Sequence, residues 1–264
     1  MGGILRSIYM YRGFIMSSIR NEFVSRFSRS RLGGVWMVIH PLVQVAIYAL
    51  ILSNLLAAKL PGIDNKYAYA MYLMAGILAW TLFSEIVGRC LTVFIDNGGL
   101  IKKMRFPRIT LPVIVVGSCL INYAILFVCI LVVFILMGSR PGLEVLWIFP
   151  MTIFVVALGV GIGLLLGVLN VFVRDIGQVV PIFLQVLFWF TPIVYPLNVI
   201  PEGVKNLVAY NPMYKIVGGY HDILVYGKLP AIEGMLSAFL VSLVLMALGL
   251  FVFRRAAPEM VDAL

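Results

Sequence analysis

Acidic residues are scarce in this chain of 264 residues: eleven Asp and Glu stand against twenty Lys and Arg, with two His and three Cys. No G-x-x-x-x-G-K-[ST] loop occurs, so the chain binds no nucleotide by that route. Gly-x-Ser-x-Gly and His-Glu-x-x-His are also missing, and no two carboxylates stand at catalytic spacing. Cys90, Cys119 and Cys129 all lie in apolar runs without metal-site spacing and read as free buried thiols. Glu85 is the only acid well inside an apolar run, so the intramembrane carboxylates that drive ion coupling are nearly absent. A transporter built this way lacks an energy source of its own and needs a partner that supplies one.

What the chain does have is apolar length. With 62% hydrophobic and 12% charged residues it is no ordinary soluble domain, and the composition implies an all-α integral membrane protein. Six runs are long enough to span, at about 35–57, 67–94, 109–137, 145–173, 176–196 and 231–253, since ~20 apolar residues cross a bilayer core. With the N-terminus inside, the inner segments hold Arg6, Arg12, Arg20, Arg26, Arg29, Arg31, Lys102, Lys103, Arg105, Arg108, Arg174, Arg254 and Arg255. The outer segments hold only Lys59, Lys66, Arg140, Lys205, Lys215 and Lys228. The positive-inside rule therefore places both termini in the cytoplasm. The net charge of +9 sits at the ends of apolar runs, where it orients the chain and meets anionic lipid; nucleic acid is not the implied partner. The first apolar run, starting near Val35, is too long for a cleaved signal peptide.

Two cytoplasmic elements stand out, one at 1–31 and one inside the membrane region 32–264. Between residues 4 and 23, Ile4, Ile8, Tyr11, Ile15, Met16, Ile19 and Phe23 share one helical face, opposite Arg6, Ser17, Arg20 and Asn21, with Arg12 intruding on the apolar side. This reads as an amphipathic interfacial helix followed by a basic turn; a purely topogenic basic tail has the same composition. The second is the stretch DNGGLIKKMRFPRITLP from Asp96 to Pro112. Its four cations, Lys102, Lys103, Arg105 and Arg108, would each cost roughly 2.5 to 3.5 kcal/mol at a bilayer centre, so they mark a loop. Leu100, Ile101, Met104 and Phe106 alternate with them as in a short amphipathic helix that Pro107 stops. Topology alone needs no such stripe, so the loop 96–108 is expected to be gripped by a soluble partner.

Within the spans, Glu85 and Arg89 are spaced as an intrahelical ion pair; a gate or substrate contact and a self-neutralising pair are equally compatible with that spacing. Gly159, Gly163 and Gly167, with Gly161 between them, form a small-residue ridge for close helix approach, within one subunit or between two. Arg174-Asp175-Ile176-Gly177 makes the fourth and fifth spans a tight hairpin. Pro181, Pro192 and Pro196 imply a bent or broken fifth helix whose freed carbonyls face protein or a water-filled path. The stretch 197–229 is too interrupted to be a span and fits short re-entrant helices on the outer face. Tyr67, Tyr69 and Tyr72 look like an interfacial belt, and His221 beside Asp222 reads as a solvated or hydrogen-bonded pair.

Taken in order, Arg29-Ser30-Arg31-Leu32-Gly33 leading into Trp36 and Pro41-Leu42, Leu100-Ile101-Lys102-Lys103 with Phe106-Pro107-Arg108, Val173-Arg174-Asp175-Ile176, Thr191-Pro192-Ile193-Val194-Tyr195-Pro196 and Asn211-Pro212-Met213 make the chain resemble the membrane subunit of type-2 ABC exporters for cell-surface polysaccharide. The resemblance covers essentially the whole length. It implies a homodimer of six-span subunits in the bacterial inner membrane, with two cytosolic ATPase subunits that bind the ATP and Mg, and no cofactor or catalytic residue in this chain. Leu100, Ile101, Lys102, Lys103, Met104, Arg105, Phe106 and Arg108 would form the coupling helix, and 197–229 the outer gate. The implied cargo is a polysaccharide on undecaprenyl diphosphate, most simply O-antigen, with Arg26, Arg29, Arg31 and Arg174 as candidates to meet the diphosphate. The first and fifth spans would line the channel. Sugar faces slide on aromatic rings, so Trp36, Tyr48, Phe188, Trp189, Phe190 and Tyr195 are the candidate lining; the same rings on a span facing lipid would need no other explanation. Capsule, teichoic acid, drug or lipid cargo in the same architecture, and a polytopic membrane transferase, are the competing readings; the transferase lacks a loop carrying acids, histidines or a metal site.

Overall fold

A computed structural model of the chain describes residues 2–27, 67–103, 106–139, 142–196 and 208–264, with isolated positions at 35–36, 39, 41–43, 47 and 203. Most of the expected first span, most of the basic turn after the N-terminal helix and the first part of 197–229 lie outside the described residues.

The N-terminal segment forms two helices, α1 (Gly2–Met10) and α2 (Arg12–Phe27), where sequence periodicity implies one. The intruding Arg12 is accommodated by laying its guanidinium over the Tyr9 ring, 4.3 Å from the centroid, a cation–π contact. Next come α3 (Ala68–Asp96), the short α4 (Gly98–Lys103) in the basic loop, and α5 (Thr110–Leu136). A 3₁₀ turn (Leu143–Trp147) leads into α6 (Ile148–Phe172), and α7 (Ile176–Trp189) returns beside it. The chain ends with α8 (Pro212–Leu224), α9 (Ile232–Ala256) and the single turn α10 (Met260–Ala263). Among the described residues four helical stretches, containing α3, α5, α6 and α9, are long and apolar enough to cross a membrane. Their backbone groups are satisfied within each helix, as a hydrocarbon environment demands.

The helix α3 is the axis of the bundle. Every residue from Ala68 to Trp80 is buried, so it is packed on all sides, by α5, α6 and α8 together. Glycine lets α6 come close. A Cβ on Gly163 would stand 2.7 Å from Cys90 Cβ, and one on Gly159 would stand 3.1 Å from Ile86, so the 159/163/167 ridge is pressed onto α3 within one subunit. The other side of α6 meets α9 in the same way. A Cβ on Gly161 would stand 2.5 Å from the Leu245 carbonyl carbon, and a Cβ on Gly249 would collide with the Gly161 carbonyl. Asn170 pins the end of α6 by donating from Nδ2 to the Leu91 carbonyl at 2.9 Å.

Candidate functional site

Three polar pairs at helical i, i+4 spacing converge at the end of the bundle that carries the basic loop: Ser18/Glu22 on α2, Glu85/Arg89 on α3 and Ser118/Asn122 on α5. Arg89 Nη2 approaches both Glu22 carboxylate oxygens, at 2.7 and 2.8 Å, and Ser118 donates to the same carboxylate at 2.7 Å. Glu85 stands farther from Arg89, at 3.7 Å, and accepts from Asn122 Nδ2 at 2.7 Å. The intrahelical pair read from spacing is therefore present, but Arg89 is held principally by an acid on another helix. Burial of Ile15 and Ile19 adds to the fit of α2, with Ile19 seated where Gly117 of α5 leaves room. Beside the node lies a cavity of about 400 Å³, lined by Phe14, Ser18 and Glu22 of α2, Arg89, Thr92 and Asp96 of α3, Leu100 of the loop, and Leu111, Ile114 and Val115 of α5.

In the loop itself Ile101 is buried, while Lys102 and Lys103 are exposed at the end of α4. Phe106 is half-buried, with its ring centroid 6.0 Å from that of Phe14 on α2. Arg108 is half-buried; Met104 and Arg105 lie outside the described residues. Among the cations expected at the entrance, Arg174 is exposed on the α6–α7 turn, whereas Arg29, Arg31 and the Arg26 side chain lie outside the described residues.

The opposite end of the bundle holds the broken helix. The fifth run is helical only as far as Trp189, where 176–196 was the expected extent, and the chain then turns through Pro192 and Pro196. Its freed carbonyls are taken up by protein. Tyr69 donates to Val194 O at 2.6 Å, and Tyr72 is shared between Pro192 O at 3.2 Å and Tyr195 O at 3.4 Å. Asn211 caps α8 by accepting from Met213 N at 3.0 Å, and its Nδ2 donates to Thr191 Oγ1 at 2.8 Å and Phe190 O at 3.3 Å. Tyr69 and Tyr72 are thus a buried clamp, which corrects their reading as an interfacial belt. His221 is buried too: it stacks on Tyr72 at 3.6 Å and donates from Nε2 to the Tyr72 carbonyl at 3.0 Å, apart from Asp222.

Of the aromatic candidates, Trp189 and Phe190 are exposed, as is Trp36. Phe188 packs edge-on against Trp80 at 5.5 Å, and Tyr195 donates its hydroxyl to the Trp189 carbonyl. Tyr48 lies outside the described residues. No group of three or more His, Cys, Asp or Glu among the described residues is arranged to hold a metal ion.

Residues 14–225 match the family model described as ABC-2 type transporter. The chain belongs to the ABC-2 type transporter family. It is 28% identical over 264 residues to the O-antigen export system permease protein RfbA of Myxococcus xanthus, covering 99% of both chains. A Klebsiella pneumoniae protein of the same name is 28% identical, over 87% of this chain and 86% of its own. The polysialic acid transport protein KpsM of Escherichia coli is 24% identical, over 92% of this chain and 93% of its own. Like other ABC-2 proteins this is a multi-pass membrane protein, and the matched region contains both ends of the bundle described above.

Two parts of this ABC-2 chain went unread in the sequence. Glu22 is the only acid among its first 31 residues, which already carry six arginines, and that isolation was the available signal. The hydroxyl triangle of Tyr123, Thr152 and Tyr220, with sides of 2.9, 2.9 and 3.0 Å, joins α5, α6 and α8 in the interior. No local pattern announces it, because its members lie 29 to 97 residues apart.

Proposed function

We propose that this chain is the membrane-spanning permease subunit of an ATP-driven exporter that moves undecaprenyl-diphosphate-linked polysaccharide, of the O-antigen class, from the cytoplasmic to the outer face of the bacterial inner membrane. The observation that carries the reading is similarity to an O-antigen export permease over 99% of both chains. The subunit pairs with a second copy of itself, keeps both termini in the cytoplasm and performs no hydrolysis. Two cytosolic ABC ATPase subunits bind ATP and Mg and dock beneath the loop 96–108.

In this reading the exposed Lys102 and Lys103 meet acidic groups of the ATPase, and Leu100, Ile101, Met104, Arg105, Phe106 and Arg108 complete the coupling element. Arg26, Arg29, Arg31 and Arg174 receive the lipid diphosphate at the entrance, where guanidinium groups suit bidentate contact. Trp36, Tyr48, Phe188, Trp189, Phe190 and Tyr195 border the sugar path, and 197–229 forms its outer gate. The exposed rings of Trp189 and Phe190, next to a helix end clamped by Tyr69, Tyr72 and Asn211, support this assignment. A capsule-type polymer is the second reading, favoured by the similarity to KpsM.

The test is deletion of the gene in its own organism followed by sided labelling of lipid-linked glycan. Accumulation on the cytoplasmic side, reversed by the restored gene, is expected. Normal surface polysaccharide of every class in the deletion strain would overturn the proposal.

A further inference from the structure

The Glu22–Arg89 contact does more than neutralise a buried guanidinium. Neutralisation alone is available within α3, since Glu85 is one turn away and already fixed by Asn122. Arg89 instead reaches across to α2, and Ser118 of α5 orients the same carboxylate from the other side. The carboxylate of Glu22 thereby ties α2 to two bundle helices at once. Eight residues earlier on α2, Phe14 meets Phe106 of the basic loop. Between those two attachments lies the cavity of about 400 Å³, lined by α2, α3, α5 and Leu100, so that α2 rests on α5 there and not directly on the loop. Packing transmits displacement through contacts, and an open space transmits none. The position of α2 relative to the loop is therefore set by the aromatic contact at Phe106, by the ionic clasp at Arg89 and by the apolar seat of Ile15 and Ile19 beside the clasp.

We infer that Glu22 and Arg89 are positioning residues for coupling: they fasten α2 to α3 and α5 so that a push on the basic loop moves α2 and the adjoining ends of the bundle as one body. The inference rests on the proposed function for the source of that push, an ATPase docked on the loop. Without the clasp, α2 would keep only its apolar seat at Ile15 and Ile19 and the Phe14–Phe106 contact, neither of which fixes it to α3, and part of the displacement would be spent in the cavity.

Two measurements on the complete complex in lipid test this. The first compares Glu22→Gln, Arg89→Gln and the double variant for glycan export per ATP hydrolysed. Each single variant is expected to lose at least about fivefold in that ratio while ATP hydrolysis stays within about twofold, and the double variant is expected to be no worse than the weaker single, as for two residues acting through one contact. Wild-type ratios in Glu22→Gln would overturn the inference, and so would failure of that variant to accumulate in the membrane, which would make the pair a folding element only. The second needs no knowledge of the cargo. Spin labels on cysteines introduced by Met16→Cys and Gly99→Cys, both exposed positions, report the distance between α2 and the loop, while Cys90, Cys119 and Cys129 are buried. That distance is expected to stay fixed when the ATPase partner binds ATP and to change or broaden when Glu22→Gln is added. A wild-type distance that itself changes with ATP would show that α2 is not fastened. Absence of glycan export by the wild-type complex would sink the proposed cargo and leave the label result to decide the clasp.

Discussion

The Tyr69 hydroxyl donates to the carbonyl of Val194, 125 residues further along the chain, at 2.6 Å. With Tyr72 one turn on, it holds a stretch of backbone that has left the helix but remains inside the protein. Such carbonyls are costly when left bare in an apolar interior, and here side chains replace the missing helical donors.

Tyr69→Phe removes one such donor and nothing else. Leaving a buried carbonyl without its partner costs about 1–3 kcal/mol, and the detergent-solubilised protein is expected to lose thermal stability accordingly. Unchanged unfolding temperatures in both Tyr69→Phe and Tyr72→Phe would show that the clamp is not needed to hold the broken end.

Gly163→Leu forces a side chain into Cys90, where even a Cβ would stand at 2.7 Å. Overpacking of this kind costs about 1–3 kcal/mol or more, and reduced membrane abundance and melting temperature are expected. Gly234→Ala, in α9 with nothing within 4 Å of the added carbon, is the matched control and should be neutral or slightly stabilising.

The exposed pair Lys102 and Lys103 separates docking from folding. Lys102→Glu with Lys103→Glu is expected to weaken association of the ATPase partner at least tenfold, more steeply at low salt, while the permease melts normally. Equal capture of the ATPase by variant and wild type would remove these two lysines from the interface.

Phe188 and Trp189 are adjacent but differ in kind. Phe188→Ala loses the edge contact with Trp80 and should destabilise the fold, beyond the lost area, by about 0.5–1.5 kcal/mol. Trp189 is 57% exposed and keeps one edge contact, with Phe188 at 5.5 Å, so Trp189→Ala should cost less stability than Phe188→Ala and slow export of long polymers. Normal chain-length distribution at the cell surface in Trp189→Ala would take that ring off the path.

Hydropathy made four long helices legible to within about three residues at each end. The runs 67–94, 109–137 and 231–253 correspond to Ala68–Asp96, Thr110–Leu136 and Ile232–Ala256, and 145–173 to α6 with its leading 3₁₀ turn. Membranes make this possible, because long apolar runs must close their own hydrogen bonds. The fifth run showed its breakers but not where the helix stops, since that depends on Tyr69, Tyr72 and Asn211 supplying donors from elsewhere in the chain. The same distance effect hid the role of Tyr72 and turned His221–Asp222 into a misleading neighbour pair: successive residues on a helix point about 100° apart, and His221 points at Tyr72. At the other end, Glu85/Arg89 was readable from spacing alone, but the partner that dominates it sits on α2 and needed the fold to find.

The two glycine faces of α6 constrain how this bundle can rearrange. A rod gripped by neighbouring backbone along opposite flanks cannot spin about its own axis without lifting off both neighbours. Any rearrangement of the bundle must therefore carry α3, α6 and α9 as a single rigid wedge, with α5 joined to it through the Tyr123–Thr152 hydrogen bond.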